Sequence, residues 1–282
     1  MKKLFLIMTI ISMLFCFTAC DDKESENKLT VAVSIAPQEE FLKRVCGDKV
    51  NVITQIPAGA SAENYQLSPR EIADLANADI YFSIGVPAEE NGILPNVSKN
   101  TEVVNLATIV SNEYEDLKIG NSRDPHIWLS VKRVKLMITA IADKMSALDP
   151  ENAKFYMNNA DDYKSELDRL YLYSAEKLKN CINKSFFVFH PAFAYLADDF
   201  SLKMYALEEH GHEATAKELA NLTEIAKNNN VKVIFCQEEA SKKQAEVFAN
   251  EIDGKIEILK PLAANYSENY KSMIDLISKA VG

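Results

Sequence analysis

The sequence predicts an α/β fold of two βαβ lobes, each built on a parallel sheet, joined by one long linker helix. Short β-branched runs alternate with amphipathic stretches from Leu29 onward, which is typical of βαβ units. This pattern occurs twice, before and after a segment that contains no glycine and no internal proline. We therefore expect an N-terminal lobe over residues 29–149, the linker helix over 150–181 and a C-terminal lobe over 182–282.

Four apolar runs are the predicted strands of the N-terminal lobe: Leu29–Val33, Val50–Ile53, Ile80–Ile84 and Glu102–Asn105. Between the second and third runs, Ser68 has the position of an N-cap, Pro69 that of a first helical residue and Glu71 that of a capping-box partner. This motif predicts a helix that begins at Pro69, directly after the loop from Pro57 to Gln66.

The C-terminal lobe has the same organisation. Its predicted strands are Phe186–Phe189, Lys203–Leu207, Val231–Phe235 and Ile256–Leu259, and its predicted helices are Ala216–Asn228 and Ser241–Glu251. In the segment between the lobes, apolar residues recur at spacings of 4, 3, 4 and 3, which places them on one helix face: Tyr156, Ala160, Tyr163, Leu167 and Leu170. A helix of about 30 residues spans roughly 45 Å, which is long enough to cross both lobes. A short coiled coil is the alternative.

The first twenty residues have the pattern of a secretory signal. Lys2 and Lys3 precede an apolar stretch from Leu4 to Phe17, which is short for a permanent membrane helix. The ending Phe-Thr-Ala-Cys resembles a bacterial lipobox, so we expect a signal peptide over residues 1–19, lipidation of Cys20 and a polar tether over 20–28. An ordinary cleavage site near Ala19 is the alternative. The expected location is extracytoplasmic, anchored by lipid to a bacterial membrane.

Composition narrows the classes of function. The 282 residues are 48% hydrophobic and 26% charged, which is ordinary for a globular protein. Removing residues 1–19 takes away two lysines and no acid, so 29 basic residues face 41 acidic ones and the net charge is −12. Such a surface disfavours nucleic acid. The remaining cysteines, Cys46, Cys181 and Cys236, are odd in number and lack C-x-x-C spacing, so neither a disulfide framework nor a thiolate zinc cluster is indicated.

Two of the four histidines lie in similar sequence settings. His126 is in Asp-Pro-His-Ile-Trp-Leu-Ser, and His190 is in Phe-His-Pro-Ala-Phe. Neutral imidazole is a common ligand of Zn²⁺, and it also serves Mn²⁺ and Fe²⁺ in sites mixed with carboxylates. The pair indicates a metal site, with buried hydrogen-bonding histidines as the alternative. His210 and His212 flank Gly211 in a predicted surface loop.

Several strings together carry a family resemblance. In chain order they are Ser34-Ile-Ala-Pro37, Gly59-Ala-Ser61, Tyr65, Ser68-Pro69, the run Ala78–Gly85, the run Asp124–Ser130, Leu148-Asp-Pro150 and the run Phe189–Tyr195. With them the chain resembles the Znu/Tro-type solute-binding lipoproteins of zinc and manganese ABC importers, over nearly all of its length after the signal. That resemblance implies a divalent metal bound between two lobes.

The resemblance also implies a ligand set. His126 and His190 match two histidine ligands of the family, while Glu63 occupies the position of its first histidine, where a carboxylate can still coordinate. Lys260 stands where some members have a late aspartate ligand, and an ammonium would repel a cation. Glu208 is the nearest replacement for that ligand, with water as an equal alternative.

Two further residues follow a strand of the C-terminal lobe. Gln237 stands where relatives often have glutamate, and Cys236 beside it is a remote thiolate candidate. The predicted metal ligands are therefore His126, His190, Glu63 and Glu208.

Binding rather than catalysis is the predicted activity. The sequence has no H-E-x-x-H motif, no Gly-rich phosphate loop and no paired nucleophile and base. We expect a monomer that captures Zn²⁺, with Mn²⁺ or Fe²⁺ as alternatives, and delivers it to an ABC permease with its ATPase. One rival is a lipoprotein adhesin or interaction module that has lost transport, favoured by Glu63 and Lys260. The other is a metallohydrolase with Glu208 as its general base.

Overall fold

The computed structural model describes residues 28–209, 212–238 and 243–282. The predicted signal peptide, Cys20 and His210 lie outside these residues. The strands are β1 Leu29–Ile35, β2 Val50–Ile56, β3 Ile80–Ser83, β4 Glu102–Asn105, β5 Lys118–Ile119, β6 Ser122–Arg123, β7 Ser185–Val188, β8 Lys203–Ala206, β9 Glu208–Glu209, β10 His212–Glu213, β11 Val233–Gln237 and β12 Lys255–Leu259.

The α-helices are α1 Pro37–Cys46, α2 Pro69–Leu75, α3 Leu106–Ser111, α4 Val131–Leu148, α5 Ala153–Leu178, α6 Ala194–Asp199, α7 Ala216–Asn228, α8 Lys243–Glu251 and α9 Tyr266–Val281. None of the helices in the described part of the chain combines the length and the apolar run that a membrane crossing needs. The helix predicted at Ser241–Glu251 is observed as α8, while residues 241 and 242 lie outside the description.

Two four-stranded parallel sheets confirm the predicted fold class. The first has the order β2-β1-β3-β4 and the second the order β12-β11-β7-β8. Parallel strands cannot be joined by a short hairpin, so crossover connections that contain helices link them in each sheet. The described residues also form two short antiparallel pairs, β5 with β6 and β9 with β10.

The carboxyl ends of the parallel strands carry the predicted site residues. The loop from β2 to α2 contains Glu63, His190 comes two residues after β7, and Glu208 comes two residues after β8. Ligands of open α/β sheets bind at this edge, because the loops after parallel strands converge there. The fold therefore explains how residues 63, 190 and 208 reach one place.

The long helix between the sheets is confirmed, with α5 preceded by a 3-10 turn at Pro150–Asn152. The buried stripe includes Tyr156, Ala160, Tyr163 and Leu167. The hydroxyl of Tyr163 donates to Glu40 of α1 at 3.0 Å and lies 3.2 Å from the Ser267 hydroxyl of α9. One side chain of α5 thus contacts helices from both halves of the chain.

Helices α4 and α9 were not predicted from the sequence. In α4 the buried residues Val131, Val134, Ile138, Ile141 and Met145 recur at spacings of 3, 4, 3 and 4, the same signal that revealed the long helix. Several of these residues are β-branched, which lowers intrinsic helix propensity and obscures the pattern. Packing of α4 against α5 overrides that propensity.

Hydrogen bonds also join the two halves beside the cleft between the sheets. The indole Nε1 of Trp128 donates to the carbonyl of Pro261 at 2.9 Å. The Tyr195 hydroxyl donates to the carbonyl of Asp124 at 3.1 Å, and the Ser130 hydroxyl donates to Asp199 at 2.9 Å. All three bonds involve the segment 124–130 that contains His126, so the C-terminal half holds this segment in place.

Candidate metal centre

A fully buried carboxylate orients His126. Oδ1 of Asp124 accepts the backbone N–H of His126 at 2.9 Å and lies 2.7 Å from Nδ1 of its ring. This double contact selects the tautomer with the proton on Nδ1 and directs the Nε2 lone pair toward the cleft. Carboxylate contacts of this kind fix the tautomer and raise the basicity of metal-binding imidazoles.

His190 is oriented in the same way from the other half of the chain. Its Nδ1 lies 3.1 Å from Oε1 of Glu208, and both side chains are mostly buried. Burial lowers the pKa of His190, but the hydrogen bond with Glu208 and the charges of Glu208, Glu63 and Asp124 outweigh it, so the pKa is raised from its ordinary value. The second imidazole also has Nε2 available to the cleft.

The two Nε2 atoms face each other at 3.4 Å. With the proton of each ring on Nδ1, two lone pairs meet without a hydrogen between them, and this repulsion is relieved by a cation that both can bind. In a tetrahedral Zn²⁺ site with bonds of about 2.0–2.1 Å, two ligand atoms lie roughly 3.3 Å apart. The spacing of the rings therefore suits a shared zinc ion.

Glu63 completes a candidate three-ligand group, called the three-ligand group below. Its Oε1 lies 3.8 Å from Nε2 of His190, and one ligand atom from each of Glu63, His126 and His190 falls within 4.8 Å of the other two. Gly59, with a φ of 82°, allows the turn early in the loop that carries Glu63. The loop brings an anionic oxygen to the open side of the imidazole pair.

These residues line a cleft of about 430 Å³ between the two sheets. One wall is apolar and includes Trp128, whose ring centroid is 5.3 Å from that of His126. Glu63, Glu208 and Glu213 also line the cleft, so it carries carboxylates from both halves of the chain. An acidic cleft with two imidazoles attracts a divalent cation and offers it nitrogen and oxygen ligands.

A family model described as the zinc-uptake complex component A, periplasmic (ZnuA), matches residues 31–281. The chain belongs to this family. ZnuA membership agrees with the resemblance drawn from the sequence and with the position of the cleft between two parallel sheets.

Curated relatives and solved structures give the same assignment. The chain is 30% identical to the zinc-binding lipoprotein AdcA of Streptococcus pneumoniae, over 99% of this chain and 59% of AdcA. It is 31% identical to the high-affinity zinc uptake system protein ZnuA of Bacillus subtilis, over 84% of this chain and 79% of that protein. The chain thus spans only 59% of the length of the AdcA relative.

A crystal structure of a ZnuA shares 33% identity with a TM-score of 0.86, covering 91% of this chain and all of the other. The Zn(II)-bound ZnuA-like domain of Streptococcus pneumoniae AdcA shares 29% identity with a TM-score of 0.75, covering 90% of this chain and 99% of that domain.

Glu208 lines the cleft and contacts His190. Its Oε1 lies 3.1 Å from Nδ1 of that ring, and Glu208 is not part of the three-ligand group. In this geometry Glu208 can orient the imidazole of His190. Glu213 also lines the cleft, and no sequence motif marks it. It pairs with Glu208 across β9 and β10, a contact that only the folded chain shows.

Four other residues considered in the sequence lie outside the three-ligand group: Lys260, Gln237, Cys236 and His212. Nζ of Lys260 lies 3.1 Å from Glu238, and Lys260 is absent from the cleft lining. Its ammonium therefore pairs with a carboxylate outside the cleft lining, whereas the sequence analysis expected it at a ligand position. Gln237 lines the cleft, while Cys236 is buried in the core of the second sheet. His212 is exposed on β10.

The sequence alone gave Asp124 no role, although its carboxylate lies against the ring of His126 in the structure. The motif Asp-Pro-His contains it, but only the histidine was assigned a role. A carboxylate two residues before a ligand histidine can reach Nδ1 of that ring when the intervening chain turns, as it does here through Pro125. In the sequence, only the two-residue spacing between Asp124 and His126 indicates this contact.

Proposed function

We propose that this chain is an extracytoplasmic solute-binding protein that captures Zn²⁺ in the cleft and delivers it to an ABC permease and its ATPase. His126, His190 and Glu63 are the proposed ligands, and Asp124 and Glu208 orient the two rings. Water takes the fourth position in this proposal, because Glu208 is engaged with Nδ1. The protein acts as a monomer and has no enzymatic role.

The single observation that carries the proposal is the distance of 3.4 Å between two Nε2 atoms whose rings are each fixed by a carboxylate on Nδ1. A buried histidine with a structural role has no need of an unprotonated nitrogen aimed at a second one. Zinc is favoured over manganese because a site with two nitrogen ligands binds Zn²⁺ more tightly than Mn²⁺ or Fe²⁺. The names of the relatives, zinc-binding lipoprotein and zinc uptake protein, support the same ion.

Calorimetric titration of the purified, metal-stripped protein with Zn²⁺ and then with Mn²⁺ tests the proposal. We expect one zinc ion per chain, bound more tightly than manganese. Tighter binding of manganese would make this a manganese carrier. Binding of neither ion would favour the interaction-module alternative.

A double variant, His126→Ala with His190→Ala, tests the ligands themselves. We expect its zinc binding to fall below detection. His212→Ala is the matched control, because His212 is exposed on β10 and lies outside the three-ligand group, and it should bind as the unaltered protein does. Unchanged affinity in the double variant would place the metal elsewhere.

The membrane tether and the domain limits complete the proposal. We propose that residues 1–19 are removed, that Cys20 carries lipid and that residues 20–28 form the tether. The lobes are residues 29–149 and 182–282, with the linker helix over 150–181. Cys20→Ala should move the protein from the membrane fraction to the soluble fraction, and retention in the membrane fraction would contradict lipid anchoring at this cysteine.

A further inference from the structure

A buried glutamate away from the cleft supports a short turn of the N-terminal half. Glu89 is 1% exposed and begins a π-helical turn at Glu89–Ile93. Its carboxylate accepts the backbone N–H groups of Ile84 at 2.7 Å and Gly85 at 2.8 Å, and it also accepts the hydroxyl of Ser34. The carboxylate therefore fixes the turn to the ends of β1 and β3.

Burial raises the pKa of Glu89, and the three hydrogen bonds together with the charge of Arg123 oppose that rise. A carboxyl group is costly to bury unless such partners satisfy it. The metal ligands do not contact Glu89, so the site described above gives it no direct role.

The same turn holds the loop that carries Glu63. The N–H of Ala88, which precedes the turn and lacks an intrahelical acceptor, donates to the carbonyl of Ala62 at 3.1 Å. On the far side, the carbonyl of Tyr65 lies only 2.9 Å from where a Cβ on Gly92 would stand. The turn thus contacts the loop on both sides of Glu63, one residue before it and two residues after it.

Among the described residues, the other hydrogen bonds of this loop stay within the loop or reach the helix that follows it. Ala60 donates to Pro57, the N–H of Glu63 donates to Ser61, and the Tyr65 hydroxyl donates to Glu71 of α2. These bonds shape the loop but do not attach it to the sheet. The bond from Ala88 to Ala62 attaches it beside Glu63.

We infer that Glu89 is a positioning residue for the metal centre, acting through Ala88 and the turn Glu89–Ile93 to hold Glu63 at the imidazole pair. This inference rests on the proposed function, because it assigns Glu63 as a ligand. Glu89 itself touches no ligand atom, so it acts on metal affinity only through Glu63.

Glu89→Gln is the informative change because it keeps the shape of the side chain. An amide has one oxygen, so its NH₂ group must face the N–H of Ile84 or of Gly85, where the carboxylate accepted from both. The turn then loses one of its attachments, and the loop of Glu63 shifts with it. Glu90→Gln is the matched control, since Glu90 is the exposed neighbour of the same residue type.

The experiment is a double-mutant cycle on the purified full chain, measuring zinc affinity by competition with a chromophoric chelator. We expect Glu89→Gln to weaken zinc binding by about 10-fold, the lower end of the effect of residues that orient ligands, and Glu90→Gln to leave it unchanged. In a Glu63→Ala background the same Glu89→Gln change should alter zinc affinity by less than about 2-fold. Glu89 acts on affinity only through Glu63, so the effects of the two changes are not additive.

An equal loss in both backgrounds, or no loss in the unaltered background, would overturn the inference. Zinc binding by the unaltered protein separates these outcomes from a failure of the proposed function, which would appear as no binding at all. If Glu89→Gln abolishes cooperative melting, Gly92→Ala tests the same route by displacing the Tyr65 carbonyl. It should weaken zinc binding only while Glu63 is present, and unchanged affinity in Gly92→Ala would also overturn the inference.

Discussion

Each imidazole of the candidate centre has a carboxylate at its Nδ1. Asp124 is fully buried and contacts both the backbone and the ring of His126, whereas Glu208 contacts only the ring of His190. The carboxylate of Glu208 thus makes one contact with His190, where that of Asp124 makes two with His126. His190 should therefore be the more sensitive ligand to the loss of its carboxylate.

Replacing Glu208 by glutamine should lower zinc affinity by about 10-fold at pH 8, within the range found for residues that orient metal ligands. The amide keeps the size of the side chain but is a weaker acceptor for Nδ1–H. Glu213→Gln is the control, because it removes the same charge from the same cleft without a contact to Nδ1. Competition titration gives both affinities, and equal losses would show that only the charge of the cleft matters.

The same variant should change the pH dependence of binding. Zinc requires unprotonated Nε2, and the pKa of His190 is raised because the carboxylates of Glu208, Glu63 and Asp124 outweigh burial. Affinity of the unaltered protein should therefore begin to fall at a pH above about 6.5, the ordinary histidine value. Without the charge of Glu208 the fall should move to lower pH. Titrations between pH 5 and 8.5 check this, and an unmoved profile would contradict it.

In the metal-free protein, the raised pKa of His190 favours low pH, because protonation then stabilises the folded state. A histidine whose pKa is higher in the folded state adds stability below its unfolded pKa of about 6.5, and that stability is lost as pH rises through the folded value. Protons and zinc thus compete for one lone pair of His190.

Short motifs and the family resemblance singled out His126, His190 and Glu63, and the folded chain brings these three side chains together. The contact of Glu208 with His190 could be seen only in the structure. Its contact with His190 depends on how β8 lies beside β7, and the parallel register of those strands is set by packing across the sheet. A sequence shows that a carboxylate follows a strand, but it does not show which nitrogen that carboxylate reaches.

The start of α2 shows how local signals define an element. Ser68 accepts the N–H of Glu71, and the Glu71 carboxylate accepts the N–H of Ser68, so the predicted capping box is present. These bonds and that of the Tyr65 hydroxyl lower the pKa of Glu71. The backbone N–H groups of Ser68 and Glu71, which have no acceptor within the helix, are therefore hydrogen-bonded at the end of the loop that carries Glu63.

Ser68→Ala should reduce the free energy of unfolding by about 1 kcal/mol, the usual cost of losing such an N-cap. Urea denaturation measures it as a lower midpoint at an unchanged slope. Ser165→Ala is the control, because Ser165 is exposed within α5 and its hydroxyl bonds only to the carbonyl of Asp161. An equal loss in both variants would mean that the cap contributes nothing specific.

Helices without such local signals were harder to predict. The pattern in α4 is as regular as that in α5, but α4 begins with Val131 and includes further β-branched residues, so period and propensity disagree. Helix α5 has no β-branched residue and was predicted nearly to its ends. Tertiary packing decides where these two signals conflict.

At the level of the whole chain, the arrangement of the two sheets depends on contacts that no single segment predicts. Tyr163 of α5 contacts both α1 and α9, while Trp128 and Ser130 bond across the cleft beside His126. The sequence indicated a strut from one uninterrupted helix. The cross-links from the segment 124–130 depend on which loops of the folded chain face each other.

These cross-links predict that zinc causes only a small change of overall shape. Opening the cleft as a hinge would break the bonds of Trp128 to Pro261 and of Ser130 to Asp199 as well as bend α5. A compact chain of this length has a radius of gyration of about 19 Å, and we expect it to change by less than about 0.5 Å. Small-angle X-ray scattering with and without zinc measures the change.

A parallel titration with Mg²⁺ is the control for ionic effects, because that ion prefers six oxygen ligands and should not bind two imidazoles. A decrease of more than about 1 Å in the radius of gyration with zinc alone, against the value of about 19 Å expected for a compact chain, would show that the lobes close as rigid bodies. The segment 124–130 would then have to release the C-terminal half when metal is absent. A constant radius with tight binding would instead place the adjustment in the loop of Glu63, whose ligand oxygen lies 3.8 Å from Nε2 of His190 and needs to move only slightly to share an ion with it.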